Sequence, residues 1–183
     1  EELIEGRHFN VDMVLINGEA FPGGVTERFF VDKIDHQALS GIQGSEFDEV
    51  DIIQMYNLVV RACRAIGFDY GPVTADIILN DNAIPYLLEI SPHFHAISVS
   101  SVINLDKILQ GWFSYLAGDY AWRGYMYTLA KGYAAYYYIL SDTTGTIIDI
   151  TGLNKIKTYT GLMEIDIKYG VGSKLKSSDN NKI

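Results

Sequence analysis

Two acidic residues thirteen positions apart are the part of this sequence that could do chemistry. Asp76 lies in the apolar segment GPVTADIIL, and Glu89 ends the next such segment, AIPYLLEI. Ser91 follows Glu89 by two residues, which returns it to the same side of an extended chain. Mg²⁺ prefers oxygen donors, and it commonly takes one or two carboxylates from a protein and its other ligands from phosphates and water. Asp76, Glu89 and Ser91 therefore predict a metal site that suits a nucleotide.

These side chains also have ordinary structural explanations. Asp76 could be an acid of an edge strand that faces solvent, and Glu89 could cap the end of its strand. The loop after Glu89 holds His93 and His95, and a pair of loop histidines often does no more than hydrogen-bond to the backbone. The residues alone leave both explanations open.

The two acids need a pair of strands to bring them together, and the sequence predicts one. The segments GPVTADIIL and AIPYLLEI flank NDN, whose residues favour a tight turn, so residues 72–90 should form an antiparallel pair. Upstream, FNVDMVLI and VTERFFVDKI predict a hairpin with its turn in NGEAFPGG. Residues 35–44 have no periodicity and indicate a loop.

Helices and a small β-rich part are predicted around this pair. Apolar residues recur at helical spacing from Ile52 to Ile66, with Ser45 or Asp48 as the cap and Gly67 as the end. A second helical pattern ends at Gly118. Further along, strands are predicted in YAAYYYIL, GTIIDI and LMEIDIKYG, and the tail SKLKSSDNNKI is expected to be mobile or to lack a partner strand.

The composition describes a globular, acidic protein. Of 183 residues 48% are hydrophobic, enough for a sizeable core, and the formal net charge of −9 argues against a basic nucleic-acid surface and against docking to anionic membranes. The single cysteine, Cys63, falls in a helical pattern, so a disulfide framework is excluded and a reducing cytoplasm is expected. The chain starts without a methionine and stops soon after an apparent strand, so we expect a fragment.

Several segments resemble the ATP-grasp enzymes, in particular their carboxylate–amine ligase branch, which includes L-amino-acid ligases. RAIGFDYGPVTADIIL and EISP are similar to the approach to that family's metal ligands, and EELIEGRHF resembles its hinge segment. GYAAYYYILSDTTGTIIDITGL resembles the small subdomain that follows in L-amino-acid ligases. The resemblance implies an α+β fold, with an ATP-grasp C-terminal lobe over residues 1–120, its antiparallel sheet backed by helices, and a small β-rich subdomain over 121–183.

The resemblance also implies roles for individual residues. Asp76 and Glu89 would hold the Mg²⁺ or Mn²⁺ ions of a metal–ATP complex, and Ser91 stands where the family usually has a third ligand, asparagine. In the hinge, the backbone of Glu1 and Ile4 would bond adenine, while His8 stands where a ribose-contacting residue is found. His8 follows an arginine, which resembles biotin carboxylase.

The activity implied by the resemblance is phosphoryl transfer from ATP to a carboxylate, giving an acyl phosphate that an amine attacks. His93, His95 and Arg28 are the basic groups expected to steady the acyl phosphate, although a cation on a hairpin is usually solvated. His93 replaces the family's usual arginine, which leaves substrate choice open. The glycine-rich loop and lysines of the other lobe would precede Glu1, so the fragment is not expected to turn over alone.

Two other functions remain compatible with the residues. A carboxylating or carbamoyl-phosphate-synthase-like enzyme is favoured slightly by GRHF, and a non-catalytic nucleotide-binding module is favoured by His93. The expected partners are small carboxylate and amine substrates, with no nucleic acid and no membrane, and a homodimer is left open.

Overall fold

The computed structural model describes residues 2–30, 38–44, 47–95, 106–126, 132–141 and 143–176. The chain divides into two compact units, and the first extends past residue 120 to Tyr137. In chain order the elements are β1 (Arg7–Ile16), β2 (Glu19–Phe30), β3 (Ala38–Gln43), α1 (Glu49–Ala65), β4 (Gly71–Leu79), β5 (Pro85–Ser91), α2 (Asp106–Leu116), α3 (Trp122–Met126), β6 (Ala134–Tyr137), β7 (Gly145–Thr146), α4 (Leu153–Ile156) and β8 (Lys174–Leu175).

The first unit is built on one six-stranded sheet with the order β5-β4-β1-β2-β3-β6. Every neighbouring pair in it is antiparallel. Helices pack against this sheet, so the fold class is α+β, as predicted. Because β6 pairs with β3, the strand predicted in YAAYYYIL belongs to the first unit.

One face of the sheet is covered by α1. The strands present alternate apolar residues to the helix, and the helix presents residues four positions apart, so the two periodicities meet in one core. Asp48 caps α1 by accepting a hydrogen bond from the backbone amide of Val50 at 2.7 Å, and Gly67 follows its end with a φ of 73°. The helix, its Asp48 cap and its end at Gly67 are confirmed. The buried residues of this core include Phe9, Val11, Met13, Leu15, Met55, Val59, Cys63, Val73, Ala75 and Ile77.

The opposite face of the sheet carries a second apolar cluster at one end only. Helices α2 and α3 cover this end, and Arg123 of α3 holds the carboxylate of Glu19 with two hydrogen bonds of 2.7 and 2.9 Å. The buried residues of the cluster are Val14, Ile16, Phe21, Ile108, Trp112 and Met126. Toward the other end, the same face of β1 carries the polar residues His8, Asn10 and Asp12.

Two loop predictions near the N-terminus were wrong. The turn is only Asn17 and Gly18, both with positive φ, and β2 already begins at Glu19. A two-residue Asn-Gly turn matches the twist of its strands, so the hairpin needs no longer loop. Residues 38–43, predicted as loop, form β3, because β2 and β6 supply hydrogen-bonding partners on both sides.

The second unit is small and contains only short elements among its described residues, 138–141 and 143–176. Two-residue strands β7 and β8 pair with each other, and α4 is a single turn. The strand predicted in LMEIDIKYG was wrong, since none of residues 162–170 is in a strand. Instead, Lys174 and Leu175 at the start of the polar tail pair with Thr146 and Gly145 at the start of GTIIDI. Residues 177–183 lie outside the described residues.

Helices long and apolar enough to span a membrane are absent from the described part of the chain.

Replacing Met55 with alanine tests the α1 core. Met55 is fully buried, so Met55→Ala should lower the free energy of unfolding by about 2–5 kcal/mol, the range for a truncated core side chain. Urea unfolding followed by circular dichroism measures this. Ile53→Ala, in the same helix at a side chain that is 51% exposed, is the control and should cost much less. Equal losses would contradict the packing described.

Candidate functional site

A row of polar side chains crosses four neighbouring strands on the face of the sheet opposite α1. The register pairs Glu89 of β5 with Asp76 of β4, Asp76 with Asn10 of β1, and Asn10 with Thr26 of β2. Directly paired residues of an antiparallel sheet point to the same side, so these four side chains share one face. The antiparallel pair predicted over residues 72–90 is confirmed.

The pairing of the two acids depends on a bulge in β5. Ile77 pairs with Leu87, but the next residue of β4, Asp76, pairs with Glu89. Leu88 is the extra residue and is 55% exposed. Without the bulge Asp76 would face Leu88 instead. Paired residues lie about 4.5–5.5 Å apart between Cα atoms, which lets both carboxylates reach one metal ion.

Asp76 is held in place from two sides. Its Oδ1 accepts a hydrogen bond of 2.9 Å from Nδ2 of Asn10, and its Oδ2 accepts one of 2.8 Å from Nη1 of Arg28. The strand that carries it, β4, lies between β5 and β1, so Asp76 is not an acid of an edge strand, and 36% of its side chain is exposed to solvent. The Arg28 side chain is only 15% exposed, so the expectation of a solvated hairpin cation was wrong as well.

A buried pair fixes the orientation of Asn10. Its Nδ2 donates to Oγ1 of Thr74 at 2.8 Å, and the Thr74 hydroxyl donates back to Oδ1 of Asn10 at 3.2 Å. Both residues are buried, so these bonds are shielded from water. The Asn10 amide is therefore locked where it can donate to Asp76.

The other two predicted metal ligands lie beside Asp76. Ser91 donates its hydroxyl to Oε1 of Glu89 at 2.9 Å, and Glu89 is exposed. Each carboxylate oxygen can accept more than one bond, so Asp76 and Glu89 keep capacity for a cation. The donor set consists of hard oxygens, which fits Mg²⁺ or Mn²⁺. Groups of three or more His, Cys, Asp or Glu side chains suited to a metal are not found among the described residues.

The predicted basic residues of the loop sit next to these ligands. The backbone amide of His93 bonds the carbonyl of Ser91 at 2.9 Å, and its ring Nδ1 lies 2.8 Å from the carbonyl oxygen of Phe94. The backbone amide of His95 donates to Oδ1 of Asp12 at 3.2 Å, and Asp12 is only 3% exposed. A buried acid thus anchors the loop, while the catalytic role of both rings stays a prediction.

His8 stands on β1 directly opposite Arg28. Burial lowers the pKa of His8 below its usual 6.5, and the charge of Arg28 lowers it further, against an opposing effect of Asp76. The imidazole is therefore held in its neutral form near pH 7. Of the hinge residues, Ile4 is half-buried just before β1, and Glu1 lies outside the described residues.

Sequence reasoning missed Asn10, Asp12 and Thr74. The sequence did contain a signal for Asn10 and Asp12. In HFNVDMVLI the first residues alternate between polar and apolar, and the strand continues past them to the turn residues Asn17 and Gly18. When a strand lies in the middle of a sheet, polar residues at every second position indicate that one face of the sheet is lined by polar groups that contact one another, and not only by groups that contact solvent.

Several solved structures are similar to this chain in fold. An L-amino acid ligase from Bacillus licheniformis matches with a TM-score of 0.74 and 16% identity, over 94% of this chain and 45% of that one. A phosphoribosylglycinamide synthetase from Anaerococcus prevotii matches with a TM-score of 0.72 and 16% identity, over 96% and 45%. The biotin carboxylase domain of Hydrogenobacter thermophilus 2-oxoglutarate carboxylase, in complex with Mg-ADP, ADP and bicarbonate, matches at 0.63 and 18%, over 96% and 40%.

These matches show that the chain has the ATP-grasp fold, which confirms the predicted resemblance and fold class. The chain spans less than half the length of the three structures. Neither a protein-family model nor a curated protein matches the sequence.

The charge environment of His8 can be tested by titration. We expect its ring protons, followed by NMR, to titrate below pH 6.5, and Arg28→Met to raise this pKa because a neighbouring positive charge is lost. Since the folded pKa lies below the unfolded value, the unfolded chain binds more protons, and His8 should reduce stability as the pH falls through 6.5. A wild-type pKa at or above 6.5 would contradict this environment.

Proposed function

We propose that this chain supplies the nucleotide- and metal-binding face of an ATP-dependent ligase, which activates a carboxylate as an acyl phosphate and joins it to an amine. The observation that carries the proposal is the direct pairing of Asp76 with Glu89 on the polar face, with Ser91 bonded to Glu89. Mg²⁺ commonly takes one or two carboxylates from a protein and its other ligands from phosphates and water, so this pair would suit it.

In this mechanism the chain's residues mainly hold the reacting groups in place and neutralise their charge. Asp76, Glu89 and Ser91 would hold Mg²⁺ or Mn²⁺, which when bound neutralises the phosphate oxygens of ATP. Asn10 and Arg28 fix the orientation of Asp76 before any ligand arrives. Preorganised groups of this kind lower a barrier because they need not rearrange during the reaction.

Basic groups near the metal would steady the acyl phosphate. Arg28 is the best placed of the three predicted groups, since its guanidinium touches Asp76 directly and is largely buried. His93 and His95 lie on the loop that follows Ser91. At the hinge, the backbone of Glu1 and Ile4 would bond adenine and neutral His8 would contact the ribose.

A carboxylating or carbamoyl-phosphate-type reaction is the second candidate. It is favoured by the Arg7–His8 pair and by the likeness to a biotin carboxylase domain that holds Mg-ADP and bicarbonate. Arg7 itself is engaged, because its Nε and Nη2 hold the carboxylate of Glu27 at 2.7 and 2.8 Å. A nucleotide-binding module without catalysis is the third candidate, and His93 in place of arginine favours it.

Calorimetry with Mg-ATP on the intact protein tests the metal site. Asp76→Asn combined with Glu89→Gln should weaken Mg-ATP binding by about a hundredfold or more, since even outer-shell partners of a metal often contribute 10–100-fold. Asp48→Asn combined with Glu49→Gln, at the start of α1, is the matched control and should leave binding unchanged. If the site variant bound Mg-ATP as tightly as the wild type, the metal assignment would be wrong.

Release of ADP from the intact protein separates the candidate reactions. The ligase reaction predicts ADP release that needs a carboxylic acid and yields an amide product detectable by mass spectrometry. Bicarbonate-dependent release without another acid would instead favour the carboxylating enzyme. Mg-ATP binding without ADP release across a broad panel of acids would favour the non-catalytic module.

A further inference from the structure

The segment that follows the third predicted metal ligand crosses the polar face of the sheet. Ser91 of β5 pairs with Thr74 of β4, and Thr74 pairs with Asp12 of β1. Ser91 and Asp12 are therefore two strands apart, about 10 Å at the usual strand spacing. The backbone amide of His95 nevertheless reaches the Asp12 carboxylate, with 3.2 Å between its nitrogen and Oδ1. We call residues 92–95 the crossing segment.

The crossing segment is short for the distance that it spans. Four residues reach at most about 14 Å when fully extended, and the backbone bond from His93 to the Ser91 carbonyl shortens the path. The anchor at Asp12 therefore limits the direction in which the chain can leave Ser91. It also limits where His93, which is exposed, can lie beside the site.

Asp12 is buried, and a bulge in β2 fixes its position. Only 3% of this residue is exposed. Gly24 pairs with Asp12 while Pro22 pairs with Met13, so Gly23 is the extra residue of the bulge. A Cβ atom at Gly23 would lie 2.9 Å from the carbonyl oxygen of Asp12 and 3.1 Å from its Cβ, so β2 packs tightly against this acid. Bulges are frequent next to active sites, where they direct a side chain.

A second anchor of the crossing segment is the residue before His95. Phe94 is half-buried and packs against the apolar cluster that α2 and α3 cover. An apolar contact thus holds one residue, and a hydrogen bond to a carboxylate holds the next. Burying a carboxylate is unfavourable unless it accepts hydrogen bonds, and an apolar residue could pack at the position of Asp12 without that cost. Packing alone therefore does not explain why this residue is an acid.

We propose that Asp12 is a positioning residue of the metal and nucleotide site. By holding the crossing segment across the polar face, it fixes Ser91 as a ligand and keeps the imidazole of His93 at the site. In this role Asp12 touches neither the metal nor the nucleotide and acts through the backbone of His95. This differs from the role of Asn10, which orients Asp76 from within the sheet. The inference rests on the proposed function.

The test compares four variants of the intact protein with the wild type. Asp12→Leu removes the acceptor at similar size, whereas Asp12→Asn keeps an acceptor oxygen and removes only the charge. Phe94→Ala weakens the second anchor and leaves Asp12 unchanged. Met55→Ala, in the α1 core on the opposite face of the sheet, is the control for a loss of stability alone.

Two of the measurements need no ligand. Hydrogen exchange of the His95 amide with solvent reports the bond to Asp12. The NMR signals of the His93 and His95 rings report the position of the crossing segment. The ring of His8 is the internal reference, because it lies four residues from Asp12 and packs against another aromatic ring. Calorimetry with a non-hydrolysable Mg-ATP analogue then measures the effect on the site.

We expect the His95 amide to exchange slowly in the wild type and in Asp12→Asn, and at least about tenfold faster in Asp12→Leu and Phe94→Ala. The ring signals of both loop histidines should shift in the same two variants, while those of His8 should not. Binding of the analogue should weaken about 10–100-fold in Asp12→Leu, the usual cost of losing a residue that supports a metal ligand, and less in Asp12→Asn. The core control should lower the melting temperature and leave binding unchanged.

Several results would overturn the inference. These are fast exchange of the His95 amide in the wild type, full analogue binding by a folded Asp12→Leu protein, and an Asp12→Asn protein as impaired as Asp12→Leu. Equal weakening in Met55→Ala would assign the effect to stability alone. If Asp12→Leu does not fold, Phe94→Ala decides by the same measurements. If exchange and ring signals follow Asp12 but the wild type does not bind the analogue, Asp12 still positions the segment and the proposed function fails.

Discussion

The pairing of β4 with β1 decides where every polar group of the site lies. Asn10 faces Asp76 in this register, so Val11 and Ala75 face the α1 core while the polar residues face the other way. Strands alternate with a period of two, so a slip of one residue would bury the acid under α1 and expose the core residues. The apolar core and the polar face are therefore two results of one register, and the burial of Val11 and Ala75 holds Asp76 in place.

The polar face also depends on the pairing of its charged side chains, Asp76 and Arg28, with each other. Partial removal of Asp76 and Arg28 from water is unfavourable for each alone, but the hydrogen bonds that Asp76 accepts from Arg28 and Asn10 compensate. In the proposed function a bound cation would share the Asp76 carboxylate with Arg28. The guanidinium could then stay in place, and its positive charge would be available to an anionic ligand.

Much of this arrangement could be predicted from the sequence, and the rest depends on contacts distant in the chain. The helix of α1 and the strands around NDN follow from local periodicity, turn residues and the Asp48 cap. β3 could not be found this way, because Ala38 and Gly41 are poor strand residues, and the segment pairs only when β2 and β6 lie beside it. The ion pair of Arg28 was missed for the same reason, since Asp76 is 48 residues away. In LMEIDIKYG the alternation is strong, but the described residues supply no partner strand for it.

The bulge at Leu88 has a consequence for how insertions and deletions act on this protein. The thirteen-residue separation of the acids includes the turn between β4 and β5 and one bulged residue, Leu88. The chemistry of the site fixes neither of them. Deleting Leu88 would remove the bulge and leave Glu89 opposite Asp76 one residue closer along the chain, and a change in the turn that preserved the register would also leave the acids paired. Spacing between these acids can thus drift among relatives while their pairing across the strands is retained, so alignment by strand register is a better guide to equivalent residues than a count along the chain.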